Sequence, residues 1–301
     1  MLCNRRGFLL STCGAAAVAV GRTATGADPV APQVRIGMLS SMVRDVNPTL
    51  MSSLSKPFNA IVSKQTGLTN ELVILPTPDD LRLNMETSKI QFGVFHSFEF
   101  AWMNAQQPAL QPLMLAAPQR KPIRSFLAVH HTNAAKGLSE LKGKGIAIPV
   151  GTREYGRLYV DRQCRACGSS SGTFFSSIST PPDQEHALHD VVDNKHVQVA
   201  LVDVSGLDSF ASRHPVRNKR IRIMATSEPF PPTVVAYHKG TVDDATIRRF
   251  RDGMSTAHTS PFGKQLMGMW NISAFEPVPT DFSASLVALA KAYPPLPDGV
   301  K

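Results

Sequence analysis

The stretch Gly151-Thr152-Arg153-Glu154-Tyr155-Gly156 puts a hydroxyl, a guanidinium, a carboxylate and a phenol on a bare turn. The turn opens an amphipathic segment over residues 153–164. At the start of a helix several backbone N–H groups lack intrahelical partners and sit at the positive end of the helix dipole, so an anionic group can satisfy them. Thr152 adds a donor, and Arg153 adds a forked cation that grips a phosphate or carboxylate in bidentate fashion. The same residues also read as an ordinary turn between a strand and a helix, and the turn alone does not choose between the two.

Other residues carry chemistry elsewhere. His96 and Glu99, three apart, share one face of a short helix and suit a metal or a polar ligand, or else a capping histidine and a solvated acid. Ser40-Ser41 and Arg44 follow the first apolar run, in a position that suits either a ligand or solvent. His130-His131 ends another run, where neighbours point to opposite sides and only one can face a cleft. His186, His189 and His196 read as surface positions on or after a helix. Cys164 and Cys167 form a C-x-x-C pair with no following histidine for haem attachment and no second pair for structural zinc. They read as a local disulfide or two unpaired thiols, ahead of redox catalysis. Gly-x-Ser-x-Gly, His-Glu-x-x-His, a Walker loop and Gly-x-Gly-x-x-Gly are all missing, so no enzyme activity, cofactor or metal site is predicted.

The elements that position these residues alternate. Apolar runs at 34–39, 72–75, 92–95, 125–130, 146–150, 197–203, 221–224 and 233–238 predict strands. Helical periodicity predicts helices over 49–65, 81–88 and 153–164, the second capped by Asp79 or Asp80. Such alternation predicts parallel sheets covered by helices on both faces. Proline-rich breaks at 117–122 and 227–232 each precede a strand and read as two crossovers between lobes. The basic cluster over 213–220 reads as a solvated loop.

Residues 1–27 contain no acid, and Asn4-Arg5-Arg6-Gly7-Phe8-Leu9-Leu10 matches a twin-arginine export signal, with cleavage predicted after Ala27. No later segment approaches membrane-spanning length, so no stable membrane insertion is expected after the leader is removed. Of the net charge of +9, Arg5, Arg6 and Arg22 leave with the leader, so the mature chain is nearer +6. That spread-out excess can steer an anionic ligand, but without interleaved aromatic residues it does not describe a nucleic-acid surface.

Placed in order, the chain resembles the phosphate/phosphite/phosphonate-binding family of periplasmic solute-binding proteins that serve ABC importers. The resemblance rests on Ile36-Gly37, Leu138-Ser139-Glu140-Leu141-Lys142-Gly143-Lys144, the turn ending at Gly156, and Arg222-Ile223-Met224-Ala225-Thr226-Ser227-Glu228-Pro229-Phe230-Pro231. It implies an α/β, two-lobed, type 2 periplasmic-binding fold, each lobe a mostly parallel sheet flanked by helices, with two crossover segments. The implied lobes are residues 33–121 with 233–301, and residues 122–232. It further implies a periplasmic location, an ABC permease partner, and a small anionic ligand held by Ser41, Arg44, His96 and Glu99 from one lobe and Thr152, Arg153 and Tyr155 from the other. The family's Ser-Thr-Ser-Gly turn here reads Arg153, Glu154, Tyr155 and Gly156, and its tyrosine after the third strand reads Phe100. Its histidine falls near Gln184 or His186, and its strand aspartate falls on Gln198. Capture of a metal or another organic solute on the same fold, and a ligand-sensing accessory role, are the alternatives.

Overall fold

The structure is a computed structural model that describes residues 33–42, 48–119, 122–150, 152–193, 196–270 and 272–296. The predicted leader, Arg44 and Gly151 lie outside them. The chain begins with β1 (Gln33–Leu39), α1 (Pro48–Thr66), β2 (Thr69–Leu75), α2 (Pro78–Glu86), β3 (Phe92–Phe95), α3 (Ser97–Gln106) and β4 (Leu110–Pro118). Gly67, at φ 66°, releases the chain from the end of α1. The cap of α2 is Thr77, correcting the expectation of Asp79 or Asp80. Its hydroxyl accepts from Asp80 N at 3.1 Å, Pro78 stands at the first helical position, and both acids fall in the first turn, where the helix dipole favours them.

A second sheet follows from β5 (Ser125–His130), β6 (Gly145–Ala147), α4 (Glu154–Ala166), α5 (Ser171–Phe174), β7 (Ser177–Ser179), α6 (Gln184–Val192), β8 (Val199–Asp203), α7 (Val204–Arg213), α8 (Pro215–Asn218) and β9 (Ile221–Thr226). The basic cluster over 213–220 is therefore mostly helical and not a loop. Arg213 and Arg217 draw it onto α6 by pairing with Glu185 at 2.7 Å and Asp193 at 2.5 Å. The chain then returns through β10 (Thr233–His238), α9 (Asp244–Ser255), α10 (Pro261–Met269), β11 (Ile272–Glu276) and α11 (Phe282–Ala292).

The sheets have the orders β11-β4-β10-β3-β1-β2 and β7-β6-β8-β5-β9, giving a mixed α/β protein of two lobes. Parallel pairing is confined to β2-β1-β3 and β7-β6-β8. β10 runs antiparallel to β3 and β4, and β5 runs antiparallel to β8 and β9. These two are the strands by which the chain enters one sheet from the other. A strand entered across the junction starts there and runs away from it, whereas the strands built with helices end there. The crossovers lie side by side: Phe230 N donates to Ile123 O at 2.8 Å, and Ser227 N donates to Ser125 O at 2.9 Å. The buried Ser227 hydroxyl also accepts from Ser125 N at 3.0 Å.

Each lobe has its own apolar centre. In the first, Ile36, Phe92, Val235 and Phe250 pack together, with the rings of Phe92 and Phe250 stacked at 4.0 Å. In the second, Ala128, Leu188, Ala200 and Phe210 do so. A third cluster joins Phe95 and Phe98 of the first lobe to Leu127, Tyr155 and Tyr159 of the second, so the lobes share apolar packing at their junction.

Gly253 sits inside α9 where that helix meets α1. Alanine in an open helix interior gains about 1 kcal/mol over glycine. A Cβ here, however, would stand 2.4 Å from the backbone oxygen of Gln65, which cannot swing aside. Gly253→Ala is therefore expected to destabilise the chain by about 1–3 kcal/mol in urea unfolding, reversing the propensity order. A stabilised variant would refute this account of the α1–α9 contact.

Candidate ligand site between the lobes

Thr152 N donates to Pro149 O at 2.9 Å, closing the turn after β6, and the Thr152 side chain is buried. Arg153 is the extended cap residue of α4, its side chain exposed and bonded to no group among the described residues. Gly156 lies in the first turn of α4. A Cβ there would stand 3.2 Å from both Ser125 Oγ and Thr152 Cγ2, so glycine allows the helix start to rest on the start of β5. Ser125, Thr152, Arg153, Tyr155, Gln184 and Asp203 line a pocket beside it. The pocket has a volume of about 10 Å³, roughly room for one water.

Gln184 Oε1 accepts from Asp203 N at 2.8 Å, and the missing Cβ of Gly206 makes room for it, since a Cβ would stand 2.1 Å from that oxygen. Asp203 caps α7 by accepting from Gly206 N at 3.0 Å. Of the positions suggested by the resemblance, Gln184 lines the pocket, while the exposed His186 pairs with Asp183 at 2.8 Å. Gln198 does not line the pocket. It accepts from Gly145 N at 3.3 Å at the other end of the strand, and Asp203 at the strand's carboxyl end takes its place. Ser125 and Asp203 were missed; the one sequence signal for Asp203 is the usual location of ligands beyond the carboxyl ends of strands.

The first lobe contributes His96 and Glu99, both buried at the start of α3. Glu99 Oε2 accepts from His96 N at 3.2 Å, so this acid is neither solvated nor turned outward, but holds the first turn of its own helix. The His96 ring stacks on Phe98 at 5.5 Å and meets Tyr155 edge-on at 6.4 Å. Tyr155 packs on Phe230 at 4.8 Å, and Phe230 on Tyr293 at 5.4 Å, which makes an aromatic row across the junction. Thr152, Arg153 and Tyr155 thus share one pocket, and His96 meets them through the ring of Tyr155. Ser41 lies in the turn Ser40–Met42 at the carboxyl end of β1, on the same sheet edge as His96. Neither histidine of the pair His130-His131 reaches the pocket: antiparallel β5 starts at the junction with Ser125 and carries them to its far end. There His130 Nδ1 bonds Thr132 Oγ1 at 2.7 Å and His131 Nδ1 bonds Arg220 O at 3.3 Å.

Farther along α4, Arg162 ties the lobes together. Its guanidinium pairs with the Glu228 carboxylate, donates to Tyr293 Oη at 2.9 Å, and lies over the Tyr293 ring at 4.9 Å. The Tyr293 hydroxyl donates to Glu228 Oε1 at 2.8 Å, and Trp102 Nε1 of α3 donates to Tyr293 O at 2.7 Å. Burial works against the Glu228 charge, but bonds from its own backbone N–H, Tyr293 and Arg162 prevail and hold the carboxyl below its ordinary 4.5. Burial, and then the bond to Glu228, push the Tyr293 hydroxyl up. Cys164 and Cys167 are free thiols, and burial drives Cys164 up to about 12, leaving very little of the thiolate that redox exchange requires.

Two α/β lobes, joined by adjacent crossovers, with a small pocket of the second lobe where strand ends meet a helix start, define a bilobed solute-binding protein. The sequence matches the profile of the ABC transporter phosphonate periplasmic substrate-binding proteins over residues 41–281, and the chain belongs to that family. Among solved structures it is similar to a Xanthomonas citri protein bound to ATP, at TM-score 0.67 and 14% identity over 87% of this chain and 97% of that one. It is also similar to a binding-protein component of an ABC phosphonate transporter from Pseudomonas aeruginosa, at TM-score 0.62 and 15% identity over 86% and 85% of the two chains. A third is PhnD1 from Prochlorococcus marinus in complex with methylphosphonate, at TM-score 0.63 and 12% identity over 86% and 97%. No curated protein gives a significant match. Among the described residues, no helix is long and apolar enough to cross a membrane.

The depressed carboxyl of Glu228 fixes the sign of a pH dependence. Its contribution is fully present above the unfolded value near 4.5 and is lost as pH falls through the lower folded value. Glu228 is about half exposed, so the contribution is held to about 1 kcal/mol or less. Glu228→Gln is expected to lower the melting temperature by roughly 2–4 °C at pH 7. That gap should close as pH falls below 4.5. A gap that stays constant through acid pH would show that the Glu228 charge does not hold the lobes together.

Proposed function

We propose that the chain is exported as the solute-binding component of an ABC importer and captures a small anion, of the phosphonate or phosphate class, between its lobes. The observation that carries this is Arg153, a cation without an ion-pair partner among the described residues, at the start of α4 beside Ser125 and Thr152 in the junction pocket. Family membership supports the permease partner and the periplasmic location, and the leader over residues 1–27 supplies a twin-arginine route there. The lobes are residues 33–121 with 233–301, and residues 122–232.

Thr152 and Arg153 bind the anion, Tyr155 and His96 close over it, and Glu99 keeps His96 in place. The resemblance adds Ser41 and Arg44 as contributors from the first lobe, Arg44 lying outside the described residues. Room for roughly one water is too little for a phosphonate, so the ligand enters as Tyr155 parts from His96 and the lobes separate. Contacts from both lobes then favour closure, and the closed form is what the permease recognises. Three hydroxyl positions of the family's turn are replaced here, which leaves Arg153 as the main source of anion affinity.

Calorimetry of the mature chain with phosphate, phosphite and methylphosphonate tests this. Binding of at least one of them is expected, weakened about tenfold or more in Arg153→Gln, which removes a bidentate charge-assisted contact. No heat with any of the three would overturn the ligand class, and unchanged affinity in the variant would overturn the role of Arg153.

A further inference from the structure

We infer that Glu185, His189 and His214, on α6 and at the α7–α8 junction of the second lobe, form a binding site for a divalent transition metal of the zinc type. Glu185 and His189 stand one helical turn apart on α6, and His214 is the residue that ends α7 and begins α8. One ligand atom from each lies within 4.8 Å of the others. His214 Nε2 is 2.7 Å and His189 Nε2 is 3.9 Å from the same oxygen, Glu185 Oε1. Two ligands about 2.0–2.1 Å from a tetrahedral zinc lie roughly 3.3 Å apart, a value that these two separations bracket.

The state of His189 points the same way. Its Nε2 is too far from Glu185 for a hydrogen bond, and its buried Nδ1 has no partner among the described residues. An ion held between Nε2 and Glu185 Oε1 would fill that separation, while Nδ1 would keep no partner among the described residues. The rings are already oriented, since Phe210 flanks both His189 and His214 at 5.1 Å. Two imidazoles and a carboxylate suit zinc and its neighbours better than calcium or magnesium. Three protein ligands leave a fourth position for water or an anion. A polar pocket of about 260 Å³, lined in part by Glu185, Ser209 and Arg213, adjoins the carboxylate member of the set.

The competing charges are Arg213 and Arg217. Arg213 pairs with Glu185 through the other oxygen, Oε2, at 2.7 Å and is largely exposed, so Oε1 is left to His214 Nε2, whose proton an ion would displace. Arg217 is engaged by Asp193. This site departs from the expectation that the chain holds no metal. It also differs in position from His96 with Glu99, the pair that the sequence offers for a metal or a polar ligand.

Equilibrium dialysis of the untagged mature chain against zinc chloride, with metal analysis, tests the assignment. One zinc per chain is expected, with affinity reduced at least about tenfold in both His189→Ala and His214→Ala. Zinc should also raise the melting temperature of the wild type and leave that of His189→Ala unchanged. Circular dichroism and the melting temperature in chelator establish that each variant is folded; if His189→Ala is not, Glu185→Gln serves in its place. The proposal is overturned if the wild type takes up no stoichiometric zinc, if the histidine variants bind it equally well, or if His96→Ala or Cys164→Ser with Cys167→Ser abolishes binding instead.

Discussion

The junction depends on how closely α4 approaches the first strand of the second lobe. Gly156 permits the contact, because the space its side chain would occupy is already bounded by Ser125 Oγ, Thr152 Cγ2 and, at 3.4 Å, Leu201 Cδ2. That contact aims the start of α4 at the pocket and carries Tyr155 into the aromatic row. It also brings Arg162, farther down the same helix, to Glu228 and Tyr293. Behind the helix, the buried carboxylate of Asp161 accepts from Ser171 N and Ser171 Oγ, both at 3.0 Å, and fixes α4 against α5. One rigid element thus serves both the pocket and the tie between the lobes, so whatever shifts the start of α4 is felt at Arg162.

Much of this was legible in the sequence because it depends on local order. The strands over 125–130 and 233–238 have the predicted bounds, since proline-rich segments leave few other places for a strand to start. The turn before α4 was legible for the same reason. β4 was not: Pro112 and Pro118 make its sequence resemble the break that follows it, and it is a strand only because β10 and β11 pair with it on either side. The direction of β5 was also hidden, and with it the placement of the histidine pair 130–131. Carboxyl ends of strands mark the cleft only for strands that belong to the parallel part of a sheet. Asp203 is such a residue, and Ser125 is the opposite case, reaching the pocket from the amino end of its strand. The set Arg162, Glu228 and Tyr293 comes from three separate segments, and no spacing rule connects them.

Tyr155 and Tyr293 show how burial assigns different work to one residue type at the junction. Tyr293 is buried with its hydroxyl shared between Arg162 and Glu228, so its ring and its polar tip both hold the lobes. Tyr155 is buried mainly against rings, His96 from one side and Phe230 from the other. Edge-on and offset ring contacts of this kind are worth about 0.5–1.5 kcal/mol each beyond the area they bury, enough to bias closure without making it irreversible.

The departure at the ligand turn follows the same logic. A run of hydroxyls binds an oxyanion by several short, directional, neutral hydrogen bonds, each sensitive to the distance between the lobes. A guanidinium on a long side chain replaces them with charge-assisted bonds that tolerate movement of the helix that carries it. Because Arg153 is exposed and Thr152 is buried, an anion bound as proposed would meet the charge before it meets the pocket. In that binding mode the ring of Tyr155 would exclude water behind the anion and strengthen its bonds by lowering the local dielectric. Glu99 does not oppose that charge directly, since its carboxylate is turned back onto the start of α3, where it fixes His96 against Tyr155. A buried acid that would repel an anion if it faced the pocket is thereby turned to support the ring that packs on Tyr155.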